Sequence, residues 1–171
     1  MITIDSQIWI YYWDINAKEH KNVKKWLNGI KNDGILFKEK IYLSMIIPIE
    51  VGHHLFKLAD RNKDLSKDFV EDLILSLITN ENCYLIELDA FILVNVIQKL
   101  KKYVQLGIGG RDTLILTSMD KMNIKTIATH DKNILTLKEY KRIDPVFDPP
   151  LIFEIGEAFN YQEFKLRLNK L

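Results

Sequence analysis

The feature that most constrains this chain is an arrangement used more than once, a short apolar run with an aspartate at its end, in a chain whose strand candidates alternate with helix-length amphipathic segments. Ile2-Thr3-Ile4 stops at Asp5-Ser6, and the apolar run at residues 125–129 stops at His130-Asp131. Residues 40–43 and 83–88 are further strand candidates, each followed by apolar positions three and four residues apart. Strands separated by helical segments of ten or more residues are joined by crossovers rather than hairpins, so they run parallel. The pattern predicts an α/β fold, a three-layer α/β/α sandwich around a mostly parallel sheet. Ligands of such sheets bind at the carboxyl ends of the strands, which puts Asp5 and Asp131 on one rim.

The helical segments have readable faces. Val23, Trp26, Leu27 and Ile30 mark a helix over residues 19–31, with Asn32-Asp33-Gly34 as its stop. Ile47, Val51, Leu55 and Leu58 mark one over 45–59, where Ser44 can cap, Pro48 is tolerated in the first turn, and Glu50 lies at the edge of the apolar stripe. Further helices are predicted over 66–79 and from an Asp89 cap to Tyr103. Gly107, Gly109 and Gly110 form a turn that delivers Arg111-Asp112 to another helix, whose buried face is Leu114, Ile115, Ser118, Met119 and Met122. A last strand is expected over 142–147, a loop over 148–150, and a C-terminal helix with Asn160 and Glu163 as a reciprocal cap. Asp89, Asp144 and Asp148 read as cap and loop residues. No repeat or internal boundary is visible, so residues 1–171 are expected to form one domain with a C-terminal extension from about 148–171.

Composition narrows the class. With 171 residues, 47% of them hydrophobic, the chain can bury one core without a disulfide or structural metal. Its one cysteine, Cys83, reads as a buried strand position, with a reactive thiol as the alternative, and points to an intracellular, cytoplasmic protein. No apolar run approaches the roughly 18 residues a bilayer requires, so no membrane partner is expected. The net charge of +1 does not exclude nucleic acid, because opposite charges can segregate on different faces. Lys24, Lys25, Lys99, Lys101 and Lys102 are clustered, either as solvated helix faces or as part of such a footprint.

Four carboxylates carry the chemistry. Asp5 and Asp131 end strands, Asp112 opens a helix, and Glu50 lies about one turn into another; all four can reach one rim if those helices start there. Ionised carboxylates brought that close repel one another, and cations must compensate them. Oxygen-only donors select hard cations, Mg²⁺ or Mn²⁺, while no Cys/His set at zinc spacing occurs. Such ions lower the pKa of a bound water and neutralise charge on a transferring phosphoryl group, so phosphodiester hydrolysis fits best.

These residues resemble the PIN-domain nucleases, and within them the VapC-type toxin ribonucleases. The likeness runs through Ile2-Thr3-Ile4-Asp5-Ser6, then Ser44 with Ile49-Glu50-Val51, then Gly110-Arg111-Asp112-Thr113-Leu114-Ile115, then Thr126-Ile127-Ala128-Thr129-His130-Asp131. It covers most of the chain. The resemblance implies a parallel-sheet α/β/α sandwich, metal-dependent endoribonuclease activity, a homodimer, and inhibition by an antitoxin protein. It implies Asp5, Asp112 and Asp131 as metal ligands and Glu50 as a ligand or the group positioning the attacking water. Ser6, Thr113 and Thr129 stand beside them, either orienting carboxylates or capping backbone. Gln7 departs from the small polar residue usual there, and the chain runs well past Asp131.

Other readings compete. Glu50 with His53 and His54 has the Glu-x-x-His spacing of di-iron bundles, but no second copy of the motif occurs. The glycines before Arg111 lack the Lys-Ser/Thr of a phosphate-binding loop. Trp9, Tyr11, Tyr12 and Trp13 serve either packing or base stacking, and His130 either sits idle on the rim or touches substrate phosphate. An RNA-processing enzyme, or a non-catalytic RNA- or protein-binding module, is the main functional alternative. A phosphoryl receiver or phosphatase ranks last, for want of paired acids after the first strand.

Overall fold

The computed structural model describes residues 1–30, 33–62 and 65–171. Its six strands lie in the order β3-β2-β1-β4-β5-β6. They are β1 (Ile2–Ile4), β2 (Ile41–Ser44), β3 (Cys83–Ile86), β4 (Thr126–Ala128), β5 (Lys141–Asp144) and β6 (Leu151–Phe153). The first five are parallel, and β6 is an antiparallel edge strand paired with β5.

Helices make the crossovers. After β1 come α1 (Ser6–Trp13), α2 (His20–Asn28) and α3 (Ile35–Lys38); after β2, α4 (Ile46–Arg61) and α5 (Lys67–Thr79). After β3 come α6 (Ala90–Tyr103), a short 3₁₀ turn, and α7 (Gly110–Lys121); α8 (Lys132–Leu135) joins β4 to β5, and α9 (Tyr161–Leu168) ends the chain. The predicted three-layer α/β/α architecture is the one observed. Ile4, Ile41, Leu43, Ile127 and Ala128 of the central strands are wholly buried, as strands covered on both faces must be.

The chain leaves β1 toward β2 and β3, then returns across the sheet to β4 on the other side of β1. The strand order therefore reverses between β1 and β4, and the crevice at their carboxyl ends is where such sheets bind ligands. Asp5 follows β1 directly, its amide bonded to the carbonyl of Ala128 in β4 (2.9 Å).

Several expected details differ. Helix α2 ends at Gly29, whose φ of 70° suits glycine, rather than at the Asn32-Asp33-Gly34 stop; Lys31 and Asn32 lie outside the described residues. Ser44 does not cap α4, which starts after Met45 without a side-chain cap; its hydroxyl instead meets that of Ser118 (3.1 Å) inside the core, where a buried hydroxyl requires a partner. Asp5 precedes α1 and its carbonyl accepts the Ile8 amide (3.0 Å), but its side chain accepts no amide from the helix. The strand expected over 142–147 stops at Asp144, and β6 follows the loop. Asn160 caps α9 through the Glu163 amide (3.0 Å), but the cap is one-sided, because the Glu163 carboxylate pairs with Arg167 (2.9 Å).

The C-terminal segment packs on the rest of the chain. Phe147, Leu151, Phe153 and Phe164 form an apolar cluster with Leu135, joined by Phe159. Cys83 is buried, and its setting pushes the thiol up to about 11, as expected of an inert core position.

Candidate active site

Asp5 is 5% exposed at the crevice between β1 and β4. One strong donor reaches it, the Thr129 hydroxyl (2.7 Å), and the Ser6 hydroxyl adds a longer contact (3.3 Å). Burial, opposed by the Thr129 hydrogen bond and reinforced by repulsion from Asp112, Glu50 and Asp131, raises its pKa to about 6. The fold has placed three carboxylates within electrostatic reach of a fourth that is almost fully desolvated.

Each of the other three comes from a different element. Asp112 stands in the first turn of α7, half-buried, and accepts the Gly109 amide (3.2 Å). Its pKa is raised by burial, against the pull of that amide, and by Asp131 and Glu50. Asp131 follows β4 and caps α8, accepting the amides of Asn133 (2.6 Å) and Ile134 (3.3 Å). Glu50, in α4 with its side chain 14% exposed, is ion-paired with Arg111 (2.6 Å).

Every one of the four is thus turned toward a protein donor. Among the described residues no three Asp, Glu, His or Cys side chains stand close enough to hold one ion as they are oriented here. The donor set nonetheless fits a hard divalent cation. It is all oxygen, and Asp5 is buried among like charges with two hydroxyls as the hydrogen-bond donors to its carboxylate among the described residues. A cation would relieve the repulsion that now raises Asp5 and Asp112.

The neighbouring hydroxyls divide. Thr129 is wholly buried and works twice, donating to Asp5 and accepting the Asp131 amide (3.0 Å), so one side chain ties the two strand-end aspartates together. Thr113, in contrast, donates to the Gly109 carbonyl (2.7 Å) and serves the helix start.

Asp144 is more than a cap or loop residue. It ends β5, is wholly buried, and accepts a hydrogen bond from Nδ1 of His130 (2.8 Å) and one from the Val146 amide (3.2 Å). Burial raises its pKa against the pull of His130. A third strand candidate containing an aspartate, Arg142-Ile143-Asp144, was the signal that could have revealed it. His130 is fixed further by ring contacts to Tyr11, Phe147 and Phe164. Tyr11, hydrogen-bonded by Gln7 (2.7 Å), has its hydroxyl pushed up to about 12 by burial and by Glu19, Asp144 and Asp5. Of the aromatic run, Trp9 is buried in the core, whereas Tyr11 borders the site. His53 is exposed on α4, and no second Glu-x-x-His helix completes a di-iron set.

The carboxylates occupy an open rim. Cavities of about 400 and 430 Å³ lie elsewhere, where α2 and the C-terminal segment face the 147–150 loop.

No family model and no curated protein matches the sequence. The fold does have a solved counterpart: the crystal structure of Mycobacterium tuberculosis VapC20, a sarcin–ricin loop cleaving toxin, superposes with a TM-score of 0.60. At 13% identity the likeness covers 77% of this chain and 91% of that one. Sheet order, crossovers and that superposition together make this chain a PIN-like α/β/α protein.

Proposed function

We propose that this protein is a divalent-metal-dependent endoribonuclease that hydrolyses RNA phosphodiesters through Asp5, Glu50, Asp112 and Asp131, acting as the toxin of a toxin–antitoxin pair. The observation that carries the reading is Asp5, a desolvated carboxylate at the sheet's switch point whose pKa is raised to about 6 with three other carboxylates contributing. A residue perturbed in this way costs stability and marks a site built for a ligand. Likeness of fold to a toxin that cleaves the sarcin–ricin loop supports RNA as the substrate.

Mg²⁺ or Mn²⁺ held by the four carboxylates would acidify a water and neutralise charge on the phosphoryl group. The protein's residues do the rest. Asp5 and Asp131, tied by Thr129, present oxygens from two adjacent strands with little freedom to move. Glu50, on α4, would orient the attacking water and accept its proton. The water oxygen bonds to phosphorus as the bond to the leaving ribose oxygen breaks. Single-stranded or looped RNA suits an open rim, since its backbone can be splayed across it.

The test is cleavage of RNA with Mn²⁺, its loss on chelation, and its loss in Asp112→Asn; unchanged cleavage by that variant rejects the site. Expression in a host extends the test, since growth arrest that needs Asp112 supports the toxin role and no arrest favours RNA processing. A cytoplasmic location, a homodimer and an antitoxin partner belong to the same proposal. Exposed Phe91, Val94 and Ile97 on α6 support a partner-covered face, and no described helix is long and apolar enough to cross a membrane.

A non-catalytic RNA- or protein-binding module is the second reading, favoured by the dispersed orientation of the four carboxylates. A melting series with Mn²⁺ separates the two, because an ion bound by the native state alone raises the midpoint.

A further inference from the structure

Arg111 is hard to explain as a structural residue. It is the second residue of α7, where a cation opposes the helix dipole. Its side chain is 74% exposed, so its ion pair with Glu50 is largely screened and adds little to the fold. Among the described residues it is nevertheless the one cation ion-paired to any of the four site carboxylates.

An RNA strand approaching this rim meets four carboxylates, and its phosphates are repelled unless the protein offers positive charge there. Arg111 lies next to Asp112 in sequence and reaches Glu50 in space, so it spans the site. Its planar guanidinium carries five N–H donors, and the one contact to Glu50 runs through Nη1, leaving donors open to solvent. That geometry matches the paired oxygens of a phosphodiester.

Resting on the nuclease reading above, we propose that Arg111 is the site's RNA phosphate-binding residue, and that its ion pair with Glu50 competes with the strand for the guanidinium. While the pair is made, the guanidinium is partly occupied and RNA is held weakly; where the pair is broken, more of its donors face the strand.

The test is a double-mutant cycle on RNA binding without catalysis. Wild type, Glu50→Gln, Arg111→Ala and the double variant are titrated with a fluorescent single-stranded RNA in EDTA, where no cleavage occurs. Glu50→Gln removes a repulsive charge in either background; its additional gain through Arg111 is the coupling that the cycle isolates. We expect Glu50→Gln to tighten binding about tenfold more when Arg111 is present than when it is replaced. In the Glu50→Gln background, losing Arg111 should also reduce the slope of log affinity against log salt by about 0.7, the signature of one single-strand phosphate contact. Circular dichroism verifies that the four proteins fold, as exposure of Arg111 leads us to expect. An equal gain in both backgrounds with an unchanged salt slope overturns the role of Arg111; if wild type still cleaves RNA with Mn²⁺, the nuclease reading survives that result. Absence of RNA binding by all four proteins in EDTA likewise overturns the role of Arg111, and the Mn²⁺ cleavage assay decides the nuclease reading separately.

Discussion

Two buried ionisable groups, Asp5 after β1 and Arg142 in β5, are treated in opposite ways. Arg142 is wholly buried, yet it donates to the carbonyls of Leu137 (2.9 Å), Glu154 (3.3 Å) and Glu157 (2.9 Å) and stacks on Phe153. Its charge is spread over three backbone acceptors, and it staples β5 to the segment around β6. Asp5 is nearly as buried, but among the described residues two hydroxyls are the donors to its carboxylate, and three carboxylates face it. One buried charge is tied to the fold by three hydrogen bonds, with only its Nε unpartnered among the described residues; the other is left incomplete by it. Incompleteness of this kind is what a ligand site looks like in a free protein.

The comparison can be broken most decisively on its functional side. Asp112→Asn should lower Mn²⁺-dependent RNA cleavage by about 10³-fold, read as initial rates on a labelled RNA, because charge stabilisation at such centres is typically that large. On the structural side, Arg142→Ala should destabilise by about 3–5 kcal/mol in urea melts, since it removes three hydrogen bonds that tie β5 to neighbouring loops and leaves a void beside Phe153.

Asp5 should behave in the reverse sense. Its folded pKa of about 6 lies above the ordinary 3.8, so between these values the folded state holds a proton that the unfolded state has lost. The stability Asp5 contributes is therefore complete below about pH 4 and disappears as pH rises through 6, a difference of about 3 kcal/mol. In EDTA, Asp5→Asn should flatten that part of the stability profile and raise stability at pH 7; an unchanged profile would contradict the burial of an unpaired carboxylate. Saturating Mn²⁺ should recover a similar amount in wild type, about 2.7 kcal/mol at a hundredfold excess over the dissociation constant, and much less in Asp5→Asn. The smallest effect is expected from Thr129→Val, which should cost about 1–2 kcal/mol and move the Asp5 titration upward, because the hydroxyl both donates to Asp5 and accepts the Asp131 amide.

Much of this was legible in the residues. Alternating strands and helical segments specified the sheet, and the aspartates at the ends of β1 and β4 followed from counting apolar runs. Asp144 was missed because the strand expected over 142–147 put it in mid-strand, and only the end of β5, with Asp144 opposite Leu151 of β6, shows it to be a buried strand end. Ser44 was misread because a serine before a helix is usually a cap; here the neighbouring α7 supplies Ser118 and turns the hydroxyl inward.

The sequence by itself determined the strand–helix order and the chemical type of the donors, since periodicity and side-chain identity are local properties. Tertiary structure alone decided that β4 returns beside β1, that Thr129 links Asp5 to Asp131, and that Arg111 reaches Glu50. Those pairings join residues far apart in the chain, some of them more than a hundred positions, and only the closure of the sheet brings them within a hydrogen bond of each other.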